Sequence, residues 1–226
     1  WFRADQVAID ETTAVIGEAK SGTAGDSTGG VYFFTRSEAG EWEFETSFTT
    51  YEDRYRSAVR FDGDVTLARD FEFGGLTIYE RGPSGWEETT QVTRPYIYGH
   101  HAGFAVDEDL VAYGSGEGTI EDPFRVDLYQ RHAFGDWRLQ TSIYDPEPEL
   151  GRDFGASIAI DSGRVLIGTT ATRRNPGARN SDPPAGAAYL FVPVPEPSTA
   201  LLTATLAAAL VTKRRRLILQ PLASDP

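Results

Sequence analysis

The sequence contains no cysteine, which removes disulfide bridges, thiol catalysis and cysteine-based metal sites together. A secreted β protein does without disulfides when repeats supply a continuous core, so this absence does not argue for the cytoplasm. Methionine is also absent, and the chain opens at Trp1 inside strand-like sequence without a signal peptide. Both features lead us to expect the C-terminal portion of a longer protein. Histidine is scarce, at three residues, and no His-Glu-x-x-His pair or phosphate-binding glycine loop occurs. Apolar residues come in short runs until residue 199, and positive charge is outweighed, the formal net charge being −13. The tail beyond Pro195 sets Lys213, Arg214, Arg215 and Arg216 against Glu196 and Asp225, a net of +2, which leaves −15 on the body. A body of that sign repels phosphates and anionic head groups, so nucleic acid is not an expected partner.

What is present is a unit repeated along the body. Its cleanest copy reads Phe154-Gly155-Ala156-Ser157-Ile158-Ala159-Ile160-Asp161, then Arg164-Val165-Leu166-Ile167-Gly168, a long polar loop, and Gly186-Ala187-Ala188-Tyr189-Leu190-Phe191. Short β-branched and aromatic runs bounded by Gly, Asp or Pro are the signal of strands. The same template fits Val7-Ala8-Ile9-Asp10, Val59-Arg60-Phe61-Asp62 and Phe104-Ala105-Val106-Asp107, so that Asp10, Asp62, Asp107 and Asp161 stand 52, 45 and 54 residues apart. A third strand ends at Arg36, Arg81 and Arg131, and a turn with a tryptophan, Trp42, Trp86 or Trp137, opens a fourth. Four short strands at a period of roughly 40 to 50 residues predict an all-β chain of propeller blades, in units of about 1–50, 51–98, 99–150 and 151–191. The fourth unit has no tryptophan strand, which points to an incomplete propeller or an open arc. One twisted sheet cannot cover both its faces alone, so neighbouring blades must. We expect Ala8, Ala105 and Ala159 near a narrow axis and the tryptophans at the wide rim.

These residues, Phe154-Gly155, Ile158 to Asp161, Val165 to Gly168 and Gly186 to Phe191, resemble the bacterial FG-GAP repeat, related to the blades of the integrin α-subunit propeller. The resemblance spans nearly all of residues 1–191. The second and third copies depart from it, with Tyr55-Arg56 and His100-His101 where Phe154-Gly155 stand. Integrin-type copies carry an Asp-x-Asp-x-Asp-Gly loop that wraps a hard cation. Here Asp62-Gly63-Asp64, Asp107-Glu108-Asp109 and Asp161-Ser162-Gly163 never complete that spacing, and Asp and Gly are ordinary turn residues. We therefore expect tight turns and no metal or other cofactor.

Other polar candidates read as structure. His100 and His101 are adjacent, and adjacent strand residues point to opposite faces, so they do not converge on one ion or substrate. Glu41, Glu43 and Glu45 alternate with Trp42 and Phe44 as the polar side of an amphipathic strand. The connections between second and third strands, residues 18–29 and 169–185, differ in length, and the latter carries Arg173, Arg174, Arg179, Pro183 and Pro184. Such variation on a constant scaffold suits either a binding surface or simple solvated connectors.

Composition changes at Val192-Pro193-Val194-Pro195-Glu196-Pro197-Ser198, where alternate prolines bar both a sheet ladder and a helix interior, making residues 192–198 a linker. Residues 199–212 are almost entirely Ala, Leu, Thr and Val and predict one short transmembrane helix, followed by Lys213, Arg214, Arg215 and Arg216 as a stop and a basic cytoplasmic tail to residue 226. Fourteen helical residues reach about 21 Å, short of a hydrocarbon core of about 30 Å, which suits a temporary anchor. Basic residues stay cytoplasmic, so the body lies across the membrane. With Pro195, Glu196 and Pro197, this order is similar to the PEP-CTERM sorting signal of Gram-negative bacteria that make exopolysaccharide. The resemblance implies an exosortase as partner, export across the inner membrane, transient anchoring, and delivery to the cell surface or medium. Leu217 to Pro226 extend beyond the usual end of such tails.

With no convergent catalytic constellation, the expectation is a non-enzymatic surface or matrix protein that binds polysaccharide or another surface protein, or that serves as bulk acidic structure. The alternative is a propeller hydrolase or lyase acting on extracellular polysaccharide, with His100 or Asp127 as candidates.

Overall fold

The computed structural model describes residues 4–19, 29–50, 56–70, 75–92, 103–115, 119, 121–148, 153–170 and 186–193. Their fifteen elements are all strands. The first sheet comprises β1 (Ala4–Ile9), β2 (Thr13–Ala19), β3 (Gly29–Arg36) and β4 (Trp42–Thr50); the second, β5 (Arg56–Asp62), β6 (Val65–Asp70), β7 (Leu76–Gly82) and β8 (Gly85–Val92). The third holds β9 (Phe104–Asp107), β10 (Leu110–Ser115), β11 (Arg125–Ala133) and β12 (Asp136–Tyr144), and the fourth holds β13 (Asp153–Asp161), β14 (Arg164–Thr170) and β15 (Ala187–Phe191). Each sheet is an antiparallel meander in which sequence neighbours pair, and no closed barrel forms among the described residues. The chain divides after Val192. All four sheets lie in the first unit, and the second lies outside the described residues except for Pro193.

The predicted turns close the first hairpins. Asp161 pairs with Arg164 around Ser162 and Gly163, whose φ values of 51° and 74° are those of a type I′ turn, the one whose twist matches the flanking strands. In the first sheet the same task falls to Asp10, whose Oδ1 accepts the backbone N–H of Thr12 at 2.7 Å and of Thr13 at 2.6 Å. Irregularities also recur in register. A bulge falls between Phe33 and Phe34, Ile78 and Tyr79, and Leu128 and Tyr129, always against the fourth strand. Equivalent bulges tighten the twist at the same place in three sheets.

Both faces of the inner sheets are buried because alternate residues serve different neighbours. Leu67 and Ile78 of the second sheet pack with Val111 and Tyr113 of the third, whereas Ala68 and Tyr79 pack with Val15 and Phe33 of the first. Between third and fourth sheets, Val126 and Leu128 meet Phe154, Val165 and Ile167. Each large side chain so buried contributes about 1.5–3 kcal/mol. The tryptophans join these layers: Trp86 stacks on Phe33 of the preceding sheet, with ring centroids 4.5 Å apart, and Trp137 is buried in the cluster between second and third sheets. Trp42 is instead exposed.

Phe154-Gly155 shows why that pair suits the start of a unit. Gly155 has φ +85°, and a Cβ built there would lie 3.0 Å from Val126 Cγ2 and 3.2 Å from the Gly114 Cα. Its carbonyl accepts the Gly103 N–H at 2.6 Å, while Phe154 fills the core beside Tyr189 and Phe191. The glycine lets two sheets touch backbone to backbone, and the phenylalanine seals the gap.

Candidate functional site

The most elaborate polar constructions join one sheet to the next. Arg131, at the end of β11, donates from Nε to Asp109 Oδ1 at 2.6 Å and reaches back to the second sheet. There Nη1 and Nη2 grip the two Asp64 carboxylate oxygens at 2.9 and 3.1 Å, and Nη1 also meets Glu80 Oε1 at 3.2 Å. The guanidinium lies over Trp137, 5.6 Å from the ring centroid. Burial opposes its charge, yet the bonds to Asp64, Asp109 and Glu80 outweigh burial and hold its pKa above the ordinary arginine value. Glu80 is fully buried, and its Oε2 also accepts Thr89 Oγ1 at 2.5 Å and the Gly135 N–H at 2.8 Å.

Arg81 repeats the device one sheet earlier. Its Nη2 bonds Thr35 Oγ1 at 3.2 Å and Glu45 Oε2 at 3.1 Å in the first sheet, Nη1 reaches Thr13 Oγ1 at 3.5 Å, and the guanidinium sits 6.0 Å from the Trp86 ring centroid. In both sheets the arginine stands opposite the tryptophan in the register, Arg81 to Trp86 and Arg131 to Trp137. Carboxylate, arginine and indole thus form a stacked latch at the outer strands. A shorter one joins the inner strands, where Gln6 Oε1 accepts Arg60 Nη1 at 3.1 Å and the Val59 N–H at 3.3 Å. The Glu108 N–H likewise donates to Asp62 Oδ2 at 2.6 Å.

Asp127, one of the two catalytic candidates, is buried and held: Oδ2 accepts Ser115 Oγ at 3.2 Å, Oδ1 accepts Ser142 Oγ at 2.5 Å, and Arg125 Nε lies 3.3 Å from Oδ1. His100 and His101 lie outside the described residues, and His132 is exposed on β11. Among the described residues no group of three or more His, Cys, Asp or Glu side chains is arranged to hold a metal ion. The turn carboxylates are instead taken by protein donors: Asp62 by Glu108, Asp64 and Asp109 by Arg131, and Asp161 by Arg164. The sorting residues Pro195, Glu196 and Pro197, the helix at 199–212 and Lys213, Arg214, Arg215 and Arg216 lie outside the described residues, as does most of both candidate binding loops.

Sequence reasoning took Arg36, Arg81 and Arg131 only as strand ends and missed the contacts that Arg81 and Arg131 make with the preceding sheet. Their signal was legible: an arginine closes the third strand of three successive units, five or six residues before the tryptophan. Glu45 also reads in the sequence as one more residue on the wet side of a strand, whereas it is the carboxylate of the first latch. Gly25-Asp26-Ser27-Thr28-Gly29 has the spacing of a nucleophile elbow. That motif needs a strand followed by a helix; Gly25 to Thr28 lie outside the described residues, and Gly29 opens strand β3. No protein-family model matches the chain, and no curated protein matches it significantly.

Proposed function

We propose that the chain is an exported propeller arc that binds an extracellular polysaccharide or surface protein through the connections between second and third strands, and that its tail is a PEP-CTERM sorting signal handled by an exosortase. The observation that carries the body of this reading is the run of four consecutive meander sheets, each stacked on the next through alternate side chains. Equivalent connections then recur at one end of every sheet, at residues 20–28, 71–75, 116–124 and 171–186, with lengths free to vary. The tail reading rests on order: Pro195-Glu196-Pro197, an apolar stretch at 199–212, then Lys213 and three arginines. A hydrolase or lyase reading gains nothing from Asp127, whose oxygens are held by Ser115, Ser142 and Arg125.

C-terminal peptide mapping by mass spectrometry, combined with fractionation of producing cells, tests this. The expected result is a mature chain ending between Pro195 and Ser198, found at the outer surface or in the medium. A chain that still ends at Pro226 and stays in the inner membrane overturns the sorting reading.

A further inference from the structure

The side of each sheet that looks back along the chain is built alike. In the second, third and fourth sheets, Val59 and Phe61, Phe104 and Val106, and Ile158 and Ile160 pack into the cluster shared with the preceding sheet. The residues at those positions in the first sheet are Val7 and Ile9, and they are 59% and 62% exposed. The tryptophans repeat the contrast. Trp86 and Trp137 are 5% and 8% exposed, whereas Trp42, which stands opposite Arg36 as they stand opposite Arg81 and Arg131, is 41% exposed.

Arg36 completes the pattern. Arg81 and Arg131 reach back to carboxylates of the preceding sheet, Glu45 in one case and Asp64 with Glu80 in the other. Arg36 covers its own indole, 6.0 Å from the Trp42 ring centroid, and its Nε donates to the Gly40 carbonyl at 3.3 Å. Among the described residues its side chain has no ion pair. The apolar stripe is therefore covered in three sheets and open in the first, and the arginine beside it reaches a preceding sheet in the second and third and none in the first.

We propose that this face of the first sheet is half of an interface for a further four-stranded sheet of the same repeat kind, whose opposing face offers apolar side chains to Val7, Ile9 and Trp42 and one carboxylate to Arg36. The choice of occupant rests on charge. A second copy of this chain would present the free face of its fourth sheet, with Leu166 and Leu190, and these are apolar enough. That sheet, however, has Val192 and Gly163 where the second sheet has Glu80 and Asp64, so among the described residues it brings Arg36 no carboxylate at either position. This inference rests on the stacked-sheet reading above and not on the tail, so C-terminal mapping and the experiment that follows fail independently.

The test places a second copy of residues 51–98 ahead of the full chain, because that unit carries Leu67, Ile78, Glu80 and Asp64 on the face required. The Trp42 signal is taken as the difference between this protein and its Trp42→Phe version. The expected result is a blue shift of Trp42 emission and a several-fold loss of acrylamide quenching relative to the unextended chain. Arg36→Met should then lower Tm in the extended protein and leave the unextended one unchanged. An added unit that stays unfolded by circular dichroism, or that folds while Trp42 is quenched as before, overturns the proposal. So does sedimentation of the unextended full chain as an oligomer that Trp42→Glu dissolves, which would assign the face to a second copy.

Discussion

At Gly155 there is little room for one methyl group between neighbouring sheets. Alanine there must adopt φ +85° and press on Val126 and the Gly114 backbone, so Gly155→Ala should cost about 1–3 kcal/mol from backbone strain alone. Gly63 also has positive φ, at 57°, but a Cβ there meets nothing within 4 Å. Urea denaturation of the two alanine variants should therefore show Gly155→Ala as the less stable. Arg131 tests the latch. Arg131→Met leaves the buried Glu80 without its cation and should cost about 3–5 kcal/mol, whereas Arg138→Met, in the exposed pair with Asp136, should leave stability unchanged. A third residue-scale outcome concerns alkali. Burial, with the hydrogen bond and charge of Glu18, pushes the Tyr32 hydroxyl up to about 12. A pKa raised in the folded state means that its stabilising contribution is complete below about pH 10, the ordinary tyrosine value, and is lost as pH rises through the folded value. Absorbance titration should find one tyrosine ionising near pH 12, absent from Tyr32→Phe, whose stability should fall less between those limits.

Strands and hairpins were the most legible elements because a two-residue alternation and a turn residue are local facts. The β13–β14 hairpin was visible in Ile158-Ala159-Ile160-Asp161 and Val165-Leu166-Ile167, and it forms around Ser162 and Gly163. Which face meets which neighbour was less legible, since Leu67 and Leu166 look alike in a strand pattern and hold the same position in their sheets. Leu67 is sealed between second and third sheets, and Leu166 lies open. Leu67→Ala should cost about 2–5 kcal/mol, and Leu166→Ala should stay within about 0.5 kcal/mol. Thermal unfolding of the two variants compares them directly. The latches stayed hidden for the same reason: Arg131 and Asp64 are 67 residues apart, and no periodicity joins a side chain at one strand end to a turn in another sheet.

The order of the whole body followed from the repeat, because a unit that cannot cover itself must stack on its neighbour. The tail was legible as composition only, since its prolines beyond Pro193 and its arginines lie outside the described residues. The feature with the furthest reach is the edge position of β15. On the proposed anchoring by the tail, tension would enter at Phe191, where β15 is zipped to β14 through five residue pairs with no fourth strand beyond it among the described residues. Peeling would then begin at the Phe191–Val165 pair and strip Phe191 and then Tyr189 from Phe154. The arginine latches lie between the first three sheets. On the proposed tethering the body would lengthen first at β15, a shock absorber that gives way before the sheets joined by Arg81 and Arg131.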